Sequence, residues 1–130
     1  MGLDMFLYSV KKGAKPDDVN VIERAYWRKA NMVRQWFVDN TDYDVDADCV
    51  YHKIEKEKLW ELADTCVSVL YMRREDYSAA EMPTAAGFFF GDTSYDEYYY
   101  ADVRNTLKQI LDIFENVDFD EEDIYYYEWW

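Results

Sequence analysis

The chain has 130 residues, half of them apolar and 19% aromatic, and only two are proline. That is one domain's length, able to bury roughly two-thirds of the surface its unfolded form exposes, so a single folded domain is expected over residues 1–130, and neither two packed domains nor the low hydrophobicity of a disordered chain. Twenty-eight acidic against 14 basic side chains leave a formal charge of −14, which repels nucleic-acid phosphates and anionic membranes and selects cationic partners.

In chain order, the opening MGLDMFLYSV carries Asp4, lacks a basic leader and has Phe6 where a myristoylation motif takes Ser or Thr. Neither a secretory signal nor an acyl anchor is expected. No apolar run reaches 18 residues, so no membrane span is expected either. Residues 3–10, rich in aromatic and branched side chains, read as a strand. Residues 17–37 follow Pro16 with Ile22, Tyr26, Ala30, Val33 and Phe37 at three- and four-residue steps, the spacing of a helix with one apolar face. Residues 50–54 read as a short strand. A second helix is predicted over 56–72, with Leu59, Leu62, Cys66 and Val69 on its stripe, and another short strand over 87–90. The third helix, 94–116, turns Tyr99, Val103, Leu107, Ile110 and Phe114 inward, and Ser94 with Glu97 fits a capping box. Residues 124–130 set Ile124, Tyr126, Glu128 and Trp130 on one face against Tyr125, Tyr127 and Trp129 on the other. The expected fold class is α+β: three helices packed on one face of a small mixed or antiparallel sheet that includes the N- and C-terminal strands, the other face being left for a partner.

Acidity is uneven. Residues 91–130 hold 12 acids against Arg104 and Lys108, a net −10, whereas residues 1–90 hold 16 acids and 12 bases, a net −4. Basic residues gather at Arg24, Arg28, Lys29 and Arg34. Two acidic stretches stand out. Asp42, Asp44, Asp46 and Asp48 occupy alternate positions, about 6.6–6.8 Å apart in extended chain. Asp118, Asp120, Glu121, Glu122 and Asp123 run directly into the terminal aromatic strand. Together with Tyr125, Tyr127 and Trp129 these acids form the candidate partner-binding set, because exposed Tyr and Trp concentrate binding energy.

The patterns that suggest chemistry are incomplete. Asp44, Asp46, Asp48 and Glu55 reproduce positions 1, 3, 5 and 12 of a calcium-binding loop. Position 6, where the turn takes a glycine at positive φ, is Cys49, so a solvated acidic loop is preferred and calcium is the alternative. Cys49 and His52 have zinc-ligand spacing but fall two ligands short of a closed site. His52 is the sole histidine, so any Cys-His or Ser-His-Asp system would pass through it, and no catalytic serine is placed beside it. The segment from Gly87 to Gly91 encloses three Phe and lacks the Lys-Ser/Thr of a phosphate loop. No catalytic residue, resident metal or cofactor is assigned. With no export signal, Cys49 and Cys66 read as free thiols in a reducing compartment, and the host-cell cytosol is the expected location.

The opening Met1-Gly-Leu-Asp-Met5-Phe-Leu-Tyr8, the stretch from Trp27-Arg-Lys-Ala-Asn31 to Gln35-Trp36-Phe37, Pro83-Thr84, Gly87-Phe-Phe-Phe-Gly91-Asp-Thr93, Tyr95-Asp-Glu97 and the aromatic C-terminus together resemble a family of small phage and prophage proteins. The likeness spans nearly the whole chain in order. It implies a phage or mobile-element setting with an unknown activity and no catalytic residues to carry over; the Asp44, Asp46, Asp48 ladder is not part of the family pattern. The functional expectation is an interaction protein, not an enzyme, that binds and inhibits a basic, nucleic-acid-binding host protein such as a defence nuclease by presenting spaced carboxylates in place of phosphates. Two rivals stand beside it: a small divalent-cation or ligand-binding protein or enzyme using surface carboxylates, and a virion assembly component that self-associates through the terminal aromatic strand.

Overall fold

The structure, a computed structural model, describes residues 2–17, 20–43, 50–87 and 91–130. Four strands, β1 (Asp4–Lys11), β2 (Ile22–Arg28), β3 (His52–Ile54) and β4 (Glu122–Trp129), form a sheet in the order β2-β1-β4-β3. Every neighbouring pair is antiparallel. The two terminal strands are the central pair, in continuous register from Asp4 opposite Trp129 to Lys11 opposite Glu122. Because successive side chains alternate between faces, Met5, Leu7, Ala25, Trp27, Ile124 and Tyr126 are buried on one side. Phe6, Tyr8, Tyr26, Tyr125 and Tyr127 share the other side through the same register.

Four helices accompany the sheet: α1 (Asn31–Asn40), α2 (Lys56–Met72), α3 (Glu75–Glu81) and α4 (Glu97–Asn116). The helix expected over 17–37 is corrected: residues 22–28 form β2, and the helix begins only at Asn31. Ile22 and Tyr26 fit a helical step, but the local pattern around them has period two, with Ala25 and Trp27 buried and Tyr26 and Arg28 exposed. Pairing with β1 captures that alternation. Lys29, at φ +56°, then breaks the chain between strand and helix while its N–H donates to the Leu3 carbonyl at 2.7 Å.

The helix over 56–72 forms with the expected bounds, burying Leu59, Leu62, Ala63, Cys66 and Val69. It ends at Arg73, left-handed at φ +44°. The short α3 that follows makes the helices four, not three. It is seven residues long and buries only Ser78, too little apolar patterning to register in sequence. At the start of α4 the cap is Asp96, whose carboxylate accepts from the Tyr98 and Tyr99 N–H groups, so the expected Ser94 cap is displaced by two residues. The strand expected over 87–90 is not formed at Gly87; Phe88, Phe89 and Phe90 lie outside the described residues.

A single buried cluster joins the inner sheet face to the helices. Its polar members are satisfied. The Trp27 indole N–H donates to Thr106 Oγ1 at 2.9 Å, the Tyr99 hydroxyl to the Met82 carbonyl at 2.7 Å, and Ser78 and Tyr100 share a hydrogen bond at 2.9 Å. Buried Asn31 ties Ala85 and Asp92 to α1: its Nδ2 donates to the Asp92 carbonyl at 2.8 Å and its Oδ1 accepts from the Ala85 N–H at 3.0 Å. Gly91, at φ +90°, leaves only 3.1 Å between an added Cβ and the Lys29 carbonyl. Two of the motifs behind the family resemblance, at 27–31 and 91–93, therefore meet in space.

Candidate interaction surfaces

The sheet and helices sort the predicted binding residues into three groups. Asp118, Asp120 and Glu121 are exposed in the turn between α4 and β4. Glu122 and Asp123, on opposite faces of β4, are both paired. Glu122 pairs with Arg24 at 3.1 Å. Asp123, almost fully buried, takes Lys12 at 3.1 Å, Lys53 at 3.7 Å and the Gly13 N–H at 3.0 Å. Burial alone would raise the Asp123 carboxyl, yet these donors hold it below the usual carboxylate range. Asp42 is exposed, with Oδ1 2.9 Å from His52 Nε2. Asp44, Asp46 and Asp48, shared by the calcium and partner-binding readings, lie outside the described residues; Glu55, the fourth calcium candidate, is exposed where α2 begins. Of the four basic residues expected to cluster on one helix, Arg24 and Arg28 belong to β2 and Lys29 to the turn. Arg34, on α1, is buried with its Nε 2.8 Å from Glu128 Oε2. Glu128 also accepts the Tyr126 hydroxyl at 2.8 Å and the Trp130 indole at 3.1 Å.

The unpaired acids of the 118–121 turn have rings beside them, but not those of the terminal strand. Trp60 on α2 is about half exposed and stacks on Phe114 of α4 with centroids 4.0 Å apart and planes 18° apart. Phe119, in the turn, packs against Phe114 at 5.5 Å. In sequence Glu57 and Glu61 lie near Trp60, Glu115 follows Phe114, and Asp118 and Asp120 flank Phe119, all exposed; of these, Glu57 and Asp120 line one cleft with Phe119 and Lys56. Lys56 leans over Phe119 at 6.0 Å and Lys58 pairs with Glu61 at 2.9 Å, leaving the acids in excess. Sequence reading missed Trp60 because the buried stripe of α2 starts at its neighbour Leu59, one position round the helix.

Tyr125, Tyr127 and Trp129 stand instead on the outer sheet face with Phe6, Tyr8, Tyr26 and Tyr51. Phe6 and Tyr8 stack with centroids 5.3 Å apart and planes 10° apart, and Tyr51 lies 4.6 Å from Tyr127. Tyr26 reaches Phe6 at 5.2 Å, and its hydroxyl donates to Asp4, which also pairs with Arg28 at 3.0 Å. Burial, with Tyr51 and Glu23 nearby, raises the Tyr8 hydroxyl above its ordinary value. The ring faces are largely occupied by one another, so what this surface offers outward is ring edges and hydroxyls. The alternation Asp4, Phe6, Tyr8 against Met5, Leu7 was the available signal for the β1 half of it.

Two titratable groups away from these surfaces are shifted by burial alone. Cys66 is buried on the inner stripe, which pushes its thiol up to about 12 and keeps it inert. Asp102, part-buried on α4, is pushed up to about 6 by burial. Among the described residues no group of three or more His, Cys, Asp or Glu side chains is placed to hold a metal, and no helix is long and apolar enough to cross a membrane. No protein-family model matches the chain, and no curated protein or solved structure matches it significantly.

Proposed function

We propose that this protein is a cytosolic interaction protein that docks on a basic, nucleic-acid-binding protein through the acidic end of its helical layer. The observation that carries the reading is the half-exposed Trp60 stacked on Phe114 beside Phe119, with the exposed acids Glu57 and Asp120 lining the same cleft as Phe119. A half-exposed Trp on a firm aromatic base is the anchor that binding hot spots favour, and the surrounding carboxylates steer a cationic partner towards it. Rings and acids thus occur side by side, as in a partner that competes with a polyanion for a basic groove. The likeness to phage and prophage proteins supplies the setting, in which a host defence nuclease is the kind of basic protein such a surface would occupy.

The test is recovery of partners from bacterial lysate by the intact protein in about 50 mM and about 500 mM salt. Basic nucleic-acid-binding proteins should be retained at low salt and lost at high salt, because exposed charges are screened over about 10 Å at 0.1 M and about 3 Å at 1 M. Trp60→Ala should weaken capture at least tenfold, and D118N/D120N/E121Q should flatten the salt dependence. Recovery of neutral or acidic proteins with no response to salt would end the proposal.

A further inference from the structure

The outer sheet face is not part of the acidic end, and its charges follow a different plan. Asp4 is neutralised by Arg28. At the far rim Asp123 takes two ammonium groups, Lys12 at 3.1 Å and Lys53 at 3.7 Å, so Lys53 on β3 is the looser of its two partners. Glu23, on edge strand β2, is exposed and forms no ion pair among the described residues. Registers place Glu23 opposite Tyr8, Tyr8 opposite Tyr125, and Tyr125 opposite Lys53. One row therefore crosses the sheet from the Glu23 carboxylate to the Lys53 ammonium over about 14 Å, at about 4.8 Å per strand. The next row, Tyr26, Phe6, Tyr127 and Tyr51, is wholly aromatic.

We infer that this face binds a second copy of the same chain, about a two-fold axis running along the strands between the facing sheets. That axis carries β2 of one copy over β3 of the other while preserving position along the strand. Glu23 of each copy then meets Lys53 of the other at both ends of the row, and Tyr26 meets Tyr51. The contact is isologous, as a two-fold interface requires. Sheets packed face to face in the aligned manner sit about 10 Å apart, a gap that a Glu and a Lys side chain span between them. Ring edges from one copy enter against ring faces of the other, the geometry aromatic pairs prefer. Strands of eight, seven, eight and three residues present roughly 400 Å² in projection, and the relief of seven rings brings this towards the ~800 Å² per partner of a standard interface. Two chains of charge −14 can approach here because Asp4 and Asp123 on this face carry Arg28, Lys12 and Lys53 as partners. The inference does not depend on the function proposed above; in such a dimer both acidic ends stay accessible.

Sedimentation of the intact chain between about 1 and 200 µM tests it. A concentration-dependent dimer is expected. Glu23→Lys should weaken it at least tenfold, and more than Glu23→Gln does, because reversal adds repulsion from Lys53. Lys53→Glu should weaken it similarly, and E23K/K53E should restore it to within about threefold of the parent. The comparison of E23K with E23Q stands by itself if Lys53→Glu disturbs Asp123 and unfolds the chain. A monomer at 200 µM, a dimer indifferent to the Glu23 substitutions, or two weakened folded single variants with no rescue in the double would each overturn it. Partner capture should be unchanged in E23K, so failure here is distinguishable from failure of the acidic-end reading.

Discussion

Single side chains in this protein are governed by whether burial has been matched with a partner. Asp123 and Glu128 are the matched cases, each almost fully buried and each held by basic groups and hydrogen-bond donors. Asp102 is the unmatched one. Its carboxyl is raised from 3.8 to about 6 by burial, so at pH 7 it is ionised in both folded and unfolded chains and the folded chain carries the cost. As pH falls through about 6 the folded state takes up the proton first, and the lost stability is recovered in full below about 4. Asp102→Asn should therefore raise stability at pH 7 by about 1 kcal/mol, allowing for partial exposure of the side chain, and bring no gain at pH 4. Thermal melts of both proteins at the two pH values check this; equal gains at both would show that burial of the charge is not the cause. None of this was visible in the sequence, where Asp102 is one acid among 28.

At the level of elements, β2 is both the misread segment and the vulnerable one. Its apolar residues satisfy a helical step and a strand alternation together, and periodicity alone cannot separate the two over seven residues. What decides is β1, which supplies a ladder from Asp4 to Ser9. As an edge strand, β2 would present unpaired backbone groups to other chains. Gln109 of α4 prevents this at one point: its Oε1 accepts the Tyr26 N–H at 2.8 Å and its Nε2 donates to the Tyr26 carbonyl at 3.0 Å. Gln109→Ala should cost about 1 kcal/mol in urea denaturation and accelerate hydrogen exchange at the Tyr26 amide, with increased light scattering on storage. Unchanged exchange would show that water replaces the glutamine without loss. By contrast α2 and α4 were legible because 17 and 20 residues of period 3.6 leave no competing reading.

For the whole molecule, a charge of −14 on 130 residues means that the folded chain repels itself. Raising salt from about 10 mM to about 300 mM should increase the midpoint of thermal unfolding by about 2–5 °C, since screened repulsion outweighs weakened surface ion pairs of small individual value. A fall instead would show that pairs such as Arg24–Glu122 and Lys12–Asp123 matter more than the surplus. The sequence by itself determined the acidity and the α+β class with both terminal strands in the sheet, because these follow from counts and from patterns within single segments. Only the tertiary structure decided which acids remain unpaired and which rings they accompany. Glu121 and Glu122 are adjacent in sequence, yet one faces solvent and the other faces Arg24, 98 residues away. A charge's surroundings depend on what the fold brings across the sheet, and that is set by strand register between distant segments, to which local pattern is blind.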